Sequence, residues 1–298
     1  MSQERSSLTR RDFMRGVGSV ALGVAAGFPA PASANTAQTD TSRVVLIRNP
    51  DVALGVRDTD GVLVQQMLDD AMVALFRQDD ASECWRQIIR PDDVVGIKTN
   101  GWRFLPTPPE VEQVLRRGVL QAGVPEGNVA MEDQRVLRNE VFRRSTALIN
   151  TRPMRTHSWS GVGSLLKNYI TFSHPPDYHA DACASLAELW DLPITRGKTR
   201  LNVLVMLTPQ FHNIGPHHFD PSYTWPYGGL IVSTDPVAAD AVGLQIIQRK
   251  RRLVFGEDRP LQPTAHHIAL ADTEYRLGNA DMSRIDLVRL GWEENSLI

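Results

Sequence analysis

Residues 92–131 read DDVVGIKTNGWRFLPTPPEVEQVLRRGVLQAGVPEGNVAM, and this stretch decides the fold. Asp92 and Asp93 precede Val94, Val95, Gly96 and Ile97, the short apolar run of a buried strand that ends in Lys98-Thr99-Asn100-Gly101. Thr107-Pro108-Pro109-Glu110 is a helix start, with a capping Thr, Pro at the first turn and an acid near the N-terminus. The helix is expected to run to about Ala122 and to stop at Gly123. Asn128 to Met131 is a second short strand, leading into Glu132-Asp133. Strand, helix and strand follow one another without a hairpin signal such as Asn-Gly, so the fold class is α/β. The expected architecture is a mostly parallel sheet covered by helices, with a crevice at the carboxyl ends of the strands.

The pattern extends in both directions. Arg43 to Arg48 (RVVLIR) predicts a first strand. Val62 to Phe76 has apolar residues at 64, 67, 68, 71, 72 and 75, the spacing of an amphipathic helix. Ala147 to Asn150, Leu201 to Leu207 and Gly229 to Val232 predict further strands, and Gly161 to Phe172 a helix. Asp235 and Pro236 open a strong helix to about Arg251. The remainder after 252 reads as helical and loop covering.

Residues 1–34 read as an export signal. Thr9-Arg10-Arg11-Asp12-Phe13 resembles a twin-arginine motif. Gly16 to Phe28 is a weakly apolar run too short to span a bilayer, which needs about 20 residues. Ala32-Ser33-Ala34 is a small-x-small cleavage site. The organisation expected is a signal peptide (1–34), a flexible leader (35–42) and one α/β domain (43–298). The expected partner during export is the twin-arginine translocase, the location is the periplasm, and no membrane anchor remains after cleavage. That route carries folded proteins and suits one that loads a cofactor before it leaves.

The 298 residues are 42% hydrophobic and 22% charged, which excludes a disordered, collagenous or coiled-coil chain. A formal net charge of −2 lacks the basic excess of a nucleic-acid binder. Two cysteines, Cys84 and Cys183, cannot hold an iron–sulfur cluster or a Cys-rich zinc site. They read as two buried free thiols, with one disulfide as the alternative. No GxGxxG, Walker A, GxSxG or HExxH occurs, so no nucleotide cofactor and no hydrolase triad is expected.

The chemistry-bearing residues gather after strands. Lys98 and Asn100 stand at a strand end, where ligands collect in open α/β sheets. Lys can hold a carboxylate or phosphate, or work as an acid or base once burial lowers its pKa. Arg155 and His157 follow the strand at 147–150 and lead through small residues to Lys167 and Asn168. Asp133 follows another strand, and Asp240 lies one turn into the helix opened by Asp235. All eight histidines lie between 157 and 267, densest at His212, His217 and His218. That loop is a candidate site for a divalent transition metal. His266 and His267 read as surface residues.

Four blocks together resemble the family called domain of unknown function 362. They are Asp93-Val-Val-Gly-Ile-Lys98-Thr-Asn100, Asn150 to His157 followed by Gly161–Asn168, Leu201–Leu207 with its following loop, and Leu230-Ile-Val-Ser-Thr-Asp235-Pro-Val-Ala-Ala-Asp240-Ala-Val. The resemblance covers roughly residues 43–252 and implies an α/β fold. Many members carry a cysteine-rich ferredoxin-like segment, which is missing here. Arg155 stands where the family usually has Lys, and the usual glycine-rich loop is His-rich at 211–219. The resemblance implies site positions and no reaction.

The expectation is an exported enzyme acting on a small carboxylate-bearing substrate. Lys98 and Lys167 would hold the anion with Asn100, Arg155, Asn168, Asp133 and Asp240, His157 would be an acid/base or metal ligand, and His212, His217 and His218 would bind metal. The alternatives are a metal-free Lys/His acid–base enzyme and a non-catalytic carrier of metal or small acids.

Overall fold

A computed structural model describes residues 41–53, 55, 57–213 and 218–298. The chain divides into two units, Met1–Asn35 and Thr36–Ile298. The described residues all belong to the second, so the expected export signal at 1–34 lies outside them.

Eight strands form one sheet: β1 (Ser42–Arg48), β2 (Val95–Lys98), β3 (Val129–Glu132), β4 (Ala147–His157), β5 (Gly161–Gly163), β6 (Thr199–Gln210), β7 (Gly229–Ser233) and β8 (Ile285–Gly291). Their order is β3-β2-β4-β6-β7-β1-β8, with β5 paired to β4. The sheet is mixed and mostly parallel. β7 runs antiparallel to β6 and β1, and β5 antiparallel to β4. The mostly parallel sheet is as expected; β7 can run antiparallel to β6 because, among the described residues, a 3₁₀ turn and no crossover helix lies between them.

Seven α-helices are described: α1 (Gly61–Phe76), α2 (Ala81–Ile88), α3 (Pro109–Gln121), α4 (Glu140–Arg143), α5 (Leu165–Asn168), α6 (Pro236–Phe255) and α7 (His266–Thr273). Asp60 caps α1 by accepting from the amides of Val62 and Leu63. Asp235 caps α6 through Val237 and Ala238, and Gly256, in the left-handed region, ends it. Strand alternation sends Val45, Ile47, Val95, Ile97, Ile149 and Val203 into a core with α1 and α3. Val44, Leu46, Leu148, Leu204 and Ile231 meet α6 and α7 on the other face. The result is a three-layer α/β domain.

The predicted leader is shortened at its end, because Ser42 already belongs to β1. The predicted helix at 161–172 is three pieces: β5, the single turn α5, and a 3₁₀ turn at Tyr169–Phe172. Gly161 takes a φ of 73° and turns the chain back onto β4; a Cβ there would lie 2.5 Å from the Pro263 carbonyl oxygen. β8 falls in the stretch read as helical and loop covering, because Leu287-Val288 breaks the period-2 alternation that marks a strand and this edge strand is only half-buried. His267 is fully buried, against the surface expectation, because α7 turns it inward beside Ile268 and Ala271. Both cysteines are buried free thiols.

Candidate functional site

A polar row crosses the α6-side face of the sheet in register. Lys98 of β2 pairs with Asn150 of β4, Asn150 with Asn202 of β6, and Asn202 with Ser233 of β7. All four are fully buried. Asn150 Nδ2 donates to Asn202 Oδ1 (3.2 Å) and to the Leu165 carbonyl (3.1 Å). Asn168 Nδ2 donates to Asn150 Oδ1 (2.8 Å) and to the Thr151 carbonyl (3.0 Å). Such a satisfied buried network holds one arrangement of its parts. Here it fastens α5, with Lys167 and Asn168, against the strand ends.

Asp240 fastens the other end of α5. It is fully buried on α6, and its Oδ1 accepts from the Leu165 amide (2.9 Å). Its Oδ2 accepts from the Leu166 amide (2.9 Å) and the Ser164 hydroxyl (2.6 Å). A residue 75 positions away in sequence therefore supplies the N-terminal cap of this short helix. Burial raises its pKa to about 7, against the pull of those three donors. The sequence reading made Asp240 a substrate ligand; the structure makes it the support of α5.

Above this frame lies a cavity of about 460 Å³, lined among others by Asn100, Asp133, Arg152, Arg155, His157 and Lys167. Trp102, Trp159 and His179 supply aromatic walls. Five predicted residues thus converge on one space. Lys98 and Asn168 stand just behind it: Lys98 Nζ donates to Asp133 Oδ1 (2.6 Å), the Thr99 carbonyl (2.7 Å) and Asn168 Oδ1 (3.4 Å). Asp133 Oδ2 also accepts from the Gly101 amide (2.8 Å). Burial pulls Lys98 down to about 8, with Asp133 working against it. Burial alone would raise Asp133, but Lys98, the Gly101 amide and Arg152 outweigh it and hold the carboxylate below its ordinary value.

Arg152 is the residue that the sequence reading missed. The pairing of β4 with β6 shifts register between Pro153 and Arg155. A bulge of this kind re-aims side chains, so Arg152 and Arg155 both reach the cavity although strand alternation would part them. Gly163 leaves room for Arg152: a Cβ there would sit 2.5 Å from its Nη2. Arg155 Nη1 donates to Asn100 Oδ1 (3.0 Å), and its guanidinium lies 4.3 Å over the Trp102 ring. The Nε of each arginine is buried without a hydrogen-bond partner. The available signal was compositional: Arg152 and Arg155 both stand within a single strand next to His157.

Lys167 Nζ contacts Cys183 Sγ at 3.3 Å. Burial lowers this amine to about 8, helped by Arg152 and Arg155 and opposed by Cys183. His157 Nδ1 accepts from the Trp159 amide (3.2 Å), which places the proton of the neutral ring on Nε2. Burial first, then Lys167, Arg152, Arg155 and His179, push its pKa far below the ordinary histidine value. His157 is therefore a neutral N–H donor at physiological pH, and among the residues lining the cavity Lys167 is the one brought close to neutrality. His179 is held at about 4 by burial and Lys167, with its ring 4.2 Å from that of Trp159.

Of the predicted metal residues, His212 does not line this cavity; it lines a neighbouring one of about 430 Å³ together with His157. His212 Nδ1 sits 3.2 Å from Arg251 Nη1, a cation that opposes a second one there. His218 is exposed, and His217 lies outside the described residues. Among the described residues, no group of three His, Cys, Asp or Glu side chains is arranged to hold a metal ion. No described helix is long and apolar enough to cross a membrane.

A family model described as domain of unknown function (DUF362) matches residues 100–245. That span runs from Asn100 to the middle of α6 and includes the cavity residues from Asp133 to Lys167. No curated protein and no solved structure matches the chain.

Proposed function

We propose that this chain, whose residues 100–245 belong to the DUF362 family, is an exported acid–base enzyme acting on a small carboxylate-bearing substrate. The observation that carries the reading is a charge imbalance. Arg152, Arg155 and Lys167 line the cavity, and the one carboxylate lining it, Asp133, is already engaged by Lys98. Buried cations without counter-charges are costly, and an anionic ligand removes that cost on binding.

The chemistry follows from the two groups beside the anion site. An amine near pKa 8 can take and return a proton close to neutral pH. A neutral imidazole donating from Nε2 can polarise a carboxylate or carbonyl oxygen without competing for the proton. Arg152 and Arg155 would stabilise the negative charge that builds on that oxygen. The reaction class is proton transfer at a carbon next to a carboxylate, with Lys167 as base and His157 as electrophile.

The test is exchange of carbon-bound hydrogen for deuterium in D₂O, followed by proton NMR over a panel of 2-hydroxy, 2-amino and 3-oxo acids. Time-dependent loss of the α-proton signal is expected for at least one acid. Lys167→Met should slow it at least 100-fold while leaving the fold intact. Exchange that survives Lys167→Met unchanged, or no exchange with any acid that binds, would overturn the reaction class.

A further inference from the structure

The charge count at the cavity specifies more than a generic anion. The three lining cations sit on two separately anchored walls. Arg155 is held by Asn100 and Trp102, while Lys167 is held from α5 against Cys183. Arg152 comes from the β4 strand itself and lies across Gly163. Arg152 and Arg155 are each 3% exposed and keep a buried, unpartnered Nε. Asp133 and Asp240 favour the charge on Arg152, but Asp133 is shared with Lys98 and Asp240 is engaged by the amides of Leu165 and Leu166, so a singly charged ligand would leave the cluster with an excess of positive charge. Guanidinium forks are matched by oxyanions that accept two parallel hydrogen bonds, and the buried Nε of each arginine is a donor such an oxyanion would satisfy.

We infer that the ligand of this cavity is a doubly charged small anion, bearing two carboxylates or one phosphoryl group, with the second charge read by Arg152. The inference rests on the anionic-substrate reading above and narrows it. Trp102 and Trp159 flank the same space, so the body joining or carrying the charged groups lies against indole faces. Arg152 is thereby a specificity-determining residue: it tells a dianion from a monoanion of the same skeleton.

Calorimetric titration of the purified chain at pH 7 with matched pairs tests this. The diacid probes are succinate and phthalate, each against its monoamide. The phosphoryl probe is phenyl phosphate, against its singly charged methyl ester. At least one dianion should bind tenfold or more tightly than its monoanionic partner. Arg152→Gln should bring the two members of that pair to within threefold, and retained binding of the monoanion shows that this variant is folded. Preference for the diacids identifies a dicarboxylate, and preference for phenyl phosphate a phosphoryl group. Equal affinity within every pair on the unaltered chain would overturn the inference while leaving the anion site standing. Absence of saturable binding by all six probes would overturn the anion site itself.

Discussion

Lys98→Met removes a fully buried amine together with its contacts to Asp133, the Thr99 carbonyl and Asn168. Two effects oppose each other. The fall of Lys98 from 10.5 to about 8 means that holding its charge costs roughly 3 kcal/mol net, at about 1.4 kcal/mol per tenfold. Methionine relieves that cost. It also strands Asp133, and breaking a buried pair from one side costs up to about 5 kcal/mol. The balance is a loss of about 2 kcal/mol at pH 7. The sign of the pH dependence is the sharper expectation. Without Lys98, burial lifts the folded-state pKa of Asp133 above its unfolded value, so the folded variant binds the extra proton in mild acid. The loss is then full at pH 7 and shrinks as pH falls towards 4. Urea unfolding of the wild type and Lys98→Met at pH 7.0 and 4.5 measures this, with constant m-values as the check. Lys98→Met/Asp133→Asn should recover most of the stability. A loss equal at both pH values, or a double variant as unstable as the single, would refute the reasoning.

Asp240→Ala leaves the amides of Leu165 and Leu166 and the Ser164 hydroxyl without their acceptor, and should cost about 3 kcal/mol in the same assay. Binding of small carboxylates should fall with it, because α5 carries Lys167. His267 is buried with neither ring nitrogen bonded, so His267→Leu should stabilise the fold by about 1 kcal/mol at pH 7. Burial, then Lys167 and Arg152, hold its folded pKa at about 3, so its contribution is full above 6.5 and lost as pH falls towards 3. Acid unfolding of the leucine variant should therefore be shifted to lower pH. Anion affinity should drop at least fivefold between pH 7 and 9.5, as Lys167 loses its proton near 8, and Lys167→Met should make calorimetric titrations over that range shallower.

The βαβ unit at 92–131 was legible because its local signals agree. A short apolar strand, a Pro-started helix and a second strand each have their own periodicity, and β2, α3 and β3 appear where expected. The gathering of Lys98, Asn100, Arg155, His157 and Lys167 at or just behind one cavity was legible because strand carboxyl ends in an α/β sheet converge on one edge. Other features depend on long-range geometry. Arg152 joins the site through a register shift set by its neighbour β6. Asp240 reads as a polar residue loose on a buried helix face until α5 is seen ending against it. His267 looks like its exposed neighbour His266, and only the packing of α7 tells them apart. The histidine-rich loop drew attention by composition, yet His212 turns to Arg251 and the rings of Tyr223 and Phe255. Local sequence carries the placement of basic residues well. It carries poorly which of them are left without a counter-charge.

That missing counter-charge is the centre of the account, and calorimetric titration with benzoate at pH 7 tests it most directly. Lys167→Met and Arg155→Gln are the cavity variants, and Arg196→Gln, which alters an exposed ion pair with Asp191, is the control. The account predicts saturable binding at one site per chain, weakened at least tenfold in each cavity variant and unchanged in the control. Equal affinity in all four proteins, or no saturable binding in any, would contradict it.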